Sequence, residues 1–214
     1  MLPEEGCCWT QPESIPWDRL PESFVLKCNN GSQMNLIVRS KKELEITQVN
    51  KKLRSWLESN YSEGVREKHY ALIKNKIYAE ELLPSPNGET PDDYKIMCSD
   101  GNPLYIWVDR GRFTKHQRSI YDVNWNLQNV RYGYPNVEPP IPRPDNLDDM
   151  LLFARKLSKG IPLVRIDMYN IGGKLYFGEM TFSSDSGAGL YNPLSWSIEV
   201  AKKAHLFLDC SIET

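Results

Sequence analysis

Leu163 to Phe182 read LVRIDMYNIGGKLYFGEMTF, and this stretch decides the fold class. Val164, Ile166 and Met168 alternate with Arg165, Asp167 and Tyr169. The first arm is therefore a strand with one apolar face and one face presenting a cation and a carboxylate. The chain returns after Gly172 and Gly173, and Leu175, Phe177, Glu179 and Thr181 share one face of the second arm. Whether Glu179 meets Asp167 depends on the loop. A three-residue loop, Ile171 to Gly173, pairs Asn170 with Lys174 and so Arg165 with Glu179. Directly opposed residues share a face, so Arg165, Asp167 and Glu179 then converge. A two- or four-residue loop sends Glu179 to the other side. Glycine at the last loop position suits a three-residue hairpin with a left-handed residue, which makes convergence the expectation.

Two carboxylates on adjacent strands beside an arginine suit a magnesium ion that bridges phosphates, with the guanidinium neutralising the remaining charge. The same three residues also suit a salt bridge on a solvated sheet face, and the hairpin alone leaves both readings open. A second cation lies far upstream. Lys27 interrupts the apolar run FVLKC and is followed by Asn30-Gly31-Ser32. A lysine at a strand end before a Gly/Ser turn can reach phosphates that backbone N–H groups also cradle. It can also simply extend its head to water.

Outward from the hairpin, strands and helices interleave. Ser23 to Cys28 and Met34 to Val38 read as strands around the turn-forming Asn29 to Ser32. Val49, Leu53, Trp56 and Leu57 recur at helical spacing, and a second helix is expected over Val65 to Lys74. Lys76 to Leu83 reads as a strand leading into a loop, Pro84 to Pro91. Asp93 to Cys98 and Pro103 to Asp109 form a hairpin around Asp100-Gly101. Tyr132 to Pro144 holds five prolines and is expected to be extended and exposed. Asn146 caps a helix with the apolar stripe Leu151, Ala154, Leu157, stopped at Gly160, and a last helix covers Pro193 to Leu206. Interleaved elements dominated by antiparallel hairpins indicate an α+β fold.

Composition excludes several functions. The chain has 214 residues and a formal net charge of -2, without the basic footprint of a nucleic-acid or membrane-surface partner. No apolar run approaches the roughly 20 residues of a membrane span. The N-terminus MLPEEGCCWTQPES lacks a secretory pattern, and five cysteines do not make an even disulfide framework, so a cytoplasmic protein with reduced thiols is expected. The three histidines are scattered, with no zinc-finger spacing. DRGRFTKHQRSIYDVNW packs Arg110, Arg112, Lys115, His116 and Arg118 together, either as a surface for an anion or as a solvated basic loop. SSDSGAG, Ser183 to Gly189, reads by itself as a flexible connector.

Taken in order, LPESFVLKCNNGS, IYAEELL, DDYKIMCSDGNP, DRGRF, IYDVNW and RIDMYNIGGKLYFGEMTFSSDSG resemble the TupA-like branch of the ATP-grasp proteins, from about Leu20 onward. The resemblance implies an α+β ATP-grasp fold of two lobes with antiparallel sheets sandwiching a nucleotide. Residues 1–19 would be an irregular N-terminal remnant, 20–83 the small lobe with the phosphate loop, and 84–214 the large lobe with the metal hairpin. It implies ATP and Mg²⁺ as cofactors. Lys27 would bind phosphates and Asn30, Gly31 and Ser32 would fold over them. Glu80, Glu81 and Leu82 would form the adenine hinge, and Asp93 would hold the ribose. Arg110 and Arg165 would act on the triphosphate, and Asp167, Glu179 and Thr181 would hold the metal. Ser183 to Gly189 would border the substrate site instead of serving only as a connector. Thr181 stands where the wider family has Asn. Asn30 and Gln33 stand where the branch has His and a second Gly. Most of the domain that usually precedes an ATP-grasp core is missing from the match, which implies a fragment, a degenerate copy, or a chain completed by a partner subunit that supplies this region. The implied activity is carboxylate–amine ligation through an acyl phosphate, on a small-molecule or polymer-precursor substrate of surface polysaccharide or teichuronopeptide synthesis. A glycosyltransferase and a non-catalytic nucleotide-binding remnant are the alternatives.

Overall fold

The computed structural model describes residues 7–64, 67–84, 90–112 and 114–206. They belong to two compact units, Met1–Pro84 and Ser85–Thr214.

In the first unit, four antiparallel strands run in the order β1-β4-β2-β3: β1 Cys8–Trp9, β2 Phe24–Cys28, β3 Asn35–Val38 and β4 Ile77–Glu81. Phe24, Leu26 and Cys28 turn to one face and are buried, while Val25 and Lys27 turn to the other. The period of two forces this division once one face is covered. The cover is α1, Ile46–Leu57, which buries Val49 and Leu53 against Ile77 and Ala79. Residues 7–19, expected to be irregular, belong to this unit: β1 pairs with β4, and Ile15 enters the core. A short α2, Tyr61–Gly64, follows α1. Of the helix expected over Val65 to Lys74, Val65 and Arg66 lie outside the described residues. The rest holds only a 3-10 turn, Lys68–Leu72, with no buried residue. Without an apolar face to pack, a short segment has little to keep it helical.

The second unit is built on five antiparallel strands ordered β10-β9-β5-β6-β7. These are β5 Asp93–Ser99, β6 Asn102–Arg110, β7 Gln117–Asp122, β9 Val164–Ile171 and β10 Lys174–Thr181. Asp100 and Gly101, both at positive φ, make the expected tight turn between β5 and β6. A small pair, β8 Arg131–Tyr132 with β11 Tyr191–Asn192, lies outside this sheet. On one face α3, Leu147–Ser158, packs Leu147, Met150, Leu151 and Ala154 against Ile96, Ile106, Val164 and Ile166. Each fully buried isoleucine here contributes about 1.5–3 kcal/mol. The buried stripe of α3 ends at Ser158, not at Leu157, which is 39% exposed. Asn146 precedes the helix as expected but makes no side-chain cap. Its amide instead reaches Asn170 and the Gly173 carbonyl, tying α3 to the β9–β10 hairpin. The proline-rich stretch is not exposed throughout, since Tyr132, Val137 and Ile141 are buried.

The other face is divided. Its lower half carries Tyr105 and Trp107, which pack with Tyr132 of β8 and with Val200 of α4, Ser195–Lys203, a helix shorter than the one expected over Pro193 to Leu206. Its upper half carries charged side chains. The expectation of an α+β fold holds, and every strand pairing among the described residues is antiparallel.

Candidate functional site

The β9–β10 hairpin does not close with the expected three-residue loop. Ile171 pairs with Lys174, so the loop is Gly172-Gly173, at φ 58° and 80°. That register alone would turn Glu179 away from Asp167, because a one-residue slip exchanges the faces. A bulge between Phe177 and Glu179 reverses the effect. Gly178 is the extra residue, after which Glu179 pairs with Asp167 and Thr181 with Arg165. The expected convergence is reached by a different register. Gly178 also lies close against the opposite strand: a Cβ there would stand 3.0 Å from the Asp167 carbonyl oxygen.

Strand pairing continues this row inward. Lys95 on β5 lies opposite Asp167, and Trp107 on β6 opposite Lys95. The neighbouring row runs Tyr169, Asp93, Asp109, Arg118. Asp93, Lys95 and Asp167 are each no more than 3% exposed. Arg165 grips Asp167 with two hydrogen bonds of 2.7 Å, from Nε to Oδ1 and from Nη2 to Oδ2. Lys95 Nζ donates to Asp167 Oδ2 at 2.7 Å and to Asp93 Oδ2 at 2.6 Å. Arg112 Nη1 adds a second contact to Asp93 Oδ2 at 3.1 Å, while Asp93 Oδ1 is buried with no partner. Arg165 also donates to Ser184 Oγ and Thr181 Oγ1, both at 3.1 Å. Its Nη2 stands 3.7 Å from Glu179 Oε1. Glu179 itself is open, with a side chain 66% exposed and a 3.3 Å contact from the Thr181 hydroxyl.

The two buried acids titrate in opposite senses. Burial raises the Asp93 carboxyl above its ordinary range, and the nearby Asp167 charge adds to the rise. Burial also pushes Asp167 up, but the Lys95 ammonium and the Arg165 guanidinium outweigh it and hold Asp167 low. Asp109 is likewise held low against its burial by Arg118, whose Nε and Nη2 bond it at 2.5 and 2.7 Å. His116 stacks on Tyr134 with ring centroids 3.6 Å apart, its Nε2 being 3.4 Å from Asp109 Oδ2.

Arg110 is not part of this group. It alternates with Asp109 along β6 and so projects from the opposite face, where Asp92 holds it by two bonds of 2.6 and 2.9 Å. The arginine that joins the acids is Arg112, two residues on. In sequence the only signal for it was the repeated arginine of DRGRF. Lys95 was missed as well, because a lone lysine in DYKIMC gives no sign of its cross-strand neighbour.

In the first unit, Lys27 and Glu80 lie on the sheet face away from α1 and meet at 2.5 Å. Glu81 ends β4 and Leu82 follows it, half-buried. Asn30 is 3% exposed and turned inward, its amide donating to the Trp56 carbonyl at 2.7 Å, so its side chain anchors the loop to the end of α1. Ser32 Oγ meets Tyr61 OH at 2.6 Å. A Cβ at Gly31 would fall 2.8 Å from the Tyr61 ring. Gln33, at φ 62°, takes the left-handed conformation that glycine adopts freely.

The oxygens available to a metal are those of Asp167, Glu179 and Thr181. Among the described residues no group of three or more His, Cys, Asp or Glu side chains could hold an ion alone. Asp167 has three of its roughly four acceptor positions taken, whereas Glu179 is open. Hard oxygen donors in that number fit Mg²⁺, which usually keeps one or two carboxylates and draws its other ligands from phosphate and water.

The chain matches the family described as TupA-like ATPgrasp over residues 6–196, and it belongs to that family. Among solved structures it is similar to D-alanine--D-alanine ligase from Bacillus anthracis complexed with ATP. That match has 19% identity and a TM-score of 0.47, and covers 91% of this chain and 52% of that one. It is also similar to the ATP-grasp ligase PsnB complexed with minimal precursor, at 16% identity, a TM-score of 0.39, and coverage of 82% and 44%. The chain thus spans about half the length of the solved structures it matches. Comparison with curated proteins gave no match. Among the described residues no helix is long and apolar enough to cross a membrane.

Proposed function

We propose that this chain, as a member of the TupA-like ATP-grasp family, binds Mg-ATP and uses it to join a carboxylate to an amine. The observation that carries the reading is the bulged hairpin: it sets an exposed Glu179 opposite a buried Asp167 already oriented by Arg165. A buried carboxylate fixed by cations and an open one beside it form a preorganised place for a metal–phosphate group. The metal would be held by Asp167 and Glu179, with the Thr181 hydroxyl beside them, and would supply charge neutralisation to the phosphates.

The remaining roles fall to this chain's own groups. Arg165 directs its guanidinium toward Thr181 and Ser184 as well as Asp167, so it offers positive charge to the transferring phosphoryl. Arg112 takes the triphosphate role that the resemblance gave to Arg110. Asp93 Oδ1 is a buried acceptor without a donor, and Asp93 would take a ribose hydroxyl there. Lys27 would meet phosphate, with the backbone of Asn30, Gly31 and Ser32 around it and Glu80, Glu81 and Leu82 at the adenine. In the first step a carboxylate oxygen of the substrate attacks the γ-phosphorus and ADP leaves. In the second the amine attacks the acyl carbon, phosphate leaves, and the amine loses a proton. Positioning and charge neutralisation, with no protein nucleophile, suffice for both steps. We assign an amino-acid or uronic-acid unit of a surface polymer as substrate class, on the family resemblance, and a cytoplasmic location, where ATP is available.

A nucleotide-sugar glycosyltransferase would normally show a parallel nucleotide-binding sheet, whereas the described strands of this chain pair antiparallel. Calorimetry with ATP and magnesium, against a panel of nucleotide sugars, tests the reading. ATP is expected to bind, and Asp167→Asn and Glu179→Gln should each abolish the magnesium-dependent part of its affinity. UDP-sugar binding without ATP binding would sink the proposal, as would wild-type affinity in both variants.

A further inference from the structure

Lys95 has no role in the reading above, yet it is the most enclosed cation of the charged face. Its side chain is 4% exposed, and its Nζ lies 2.6 Å from Asp93 Oδ2 and 2.7 Å from Asp167 Oδ2. Strand register fixes this placement. Lys95 is directly opposite Asp167 across β5 and β9, and Asp93 is two residues away on the same face of its own strand. Two of its three ammonium protons are held by these acids and the side chain is almost wholly enclosed, which makes neutralising the acids, and not contact with substrate, its task.

Two buried carboxylates held this close repel unless a cation lies between them. In phosphoryl-transfer sites that cation is commonly a divalent metal, and a second metal about 3.5–4 Å from the first can complete the clamp. Between Asp93 and Asp167 the place of such an ion is taken by the Lys95 ammonium. Lys95 and Arg165 together fill three acceptor positions of Asp167. What is left on Asp167 suffices for one further ligand bond.

We propose that Lys95 is a built-in cation standing in for a second divalent metal, so that the site takes one divalent ion per nucleotide, on Asp167 and Glu179. This rests on the Mg-ATP reading of the hairpin. Lys95 is then a positioning residue. It neutralises the Asp93–Asp167 pair permanently and leaves Asp167 with a single direction in which to ligate.

Manganese, counted by electron paramagnetic resonance, tests this on the full chain with a non-hydrolysable ATP analogue. One bound ion per bound analogue is expected, and none without the analogue. Two ions per analogue overturns the role of Lys95 while leaving the nucleotide site standing. No protein-bound manganese with the analogue bound overturns the assignment of Asp167 and Glu179, and this inference with it. The substitution Lys95→Met opens the Asp93–Asp167 pair. It should bind manganese at least tenfold more tightly than wild type in the absence of nucleotide, and manganese should raise its melting temperature but not that of wild type. A folded Lys95→Met chain with unchanged count and no stabilisation by manganese refutes the proposal. If that variant does not fold, the wild-type count decides alone.

Discussion

Substituting Gly178 with alanine tests the bulge on which the hairpin site depends. The added Cβ would stand 3.0 Å from the Asp167 carbonyl oxygen, and 3.4 Å from both the Asp167 carbonyl carbon and Tyr169 Cε2. Two of these atoms belong to the backbone of β9, paired on both sides, and cannot swing aside as a flexible side chain can. Overpacking of this kind costs about 1–3 kcal/mol. For a chain of this size that lowers the melting temperature by roughly 2–12 °C. The larger effect is on register. If the strand relieves the contact by expelling the bulge, the pairing slips by one residue and Glu179 turns to the opposite face. Magnesium-dependent ATP affinity, measured by calorimetry, should then fall at least tenfold. Gly172→Ala is the control. Its Cβ would sit at a positive φ, 58°, but would meet nothing within 4 Å, and it lies in the turn, before the bulge. It should cost about 1 kcal/mol and leave ATP affinity unchanged. Wild-type ATP affinity in Gly178→Ala, with a melting temperature within 1 °C of wild type, would refute the argument.

Other perturbations separate neighbouring groups. Arg110→Ala removes a partly exposed pairing with Asp92 and should cost about 0–1 kcal/mol with ATP affinity intact, whereas Arg112→Ala should weaken ATP binding about tenfold in the same calorimetric assay. Asp109→Asn leaves Arg118 buried without its counter-charge and should destabilise by about 3–5 kcal/mol in denaturant unfolding. Because Asp109 is held low in the folded chain, its contribution is present above its unfolded pKa of about 3.9 and is lost as pH falls below that. The acid limb of a melting-temperature profile should therefore flatten in Asp109→Asn. Gln33→Gly relieves a left-handed backbone at φ 62° and should raise stability by about 0.5–1 kcal/mol, read from the urea midpoint.

Much of this was legible along the chain because it is local. The alternation of LVRIDMY, the Asp-Gly turn between β5 and β6, and the buried run FVLKC each specify a strand and its faces within a few residues. Family order then pointed to Arg165, Asp167 and Glu179 as one group, and β9 and β10 do bring them together. What pattern could not supply was the path. A glycine two places after the hairpin's aromatic Tyr176 reads the same whether it sits in a regular strand or makes a bulge, and only cross-strand pairing distinguishes them. Arg110 and Arg112 could not be told apart along the chain for a related reason. Period-two alternation puts Arg110 on the α3 side once Asp109 is inward, but which face was the site's became known only from the sheet. Lys95 is the clearest case. By itself it is one lysine in an apolar strand. It gains its two acids from Asp93 on its own strand and from Asp167, 72 residues away, when β5 pairs with β9. Sequence determined the strands, their faces and the family. Tertiary structure decided which charges meet, because the energy of a buried ion pair depends on distances of a few ångströms that only strand register sets.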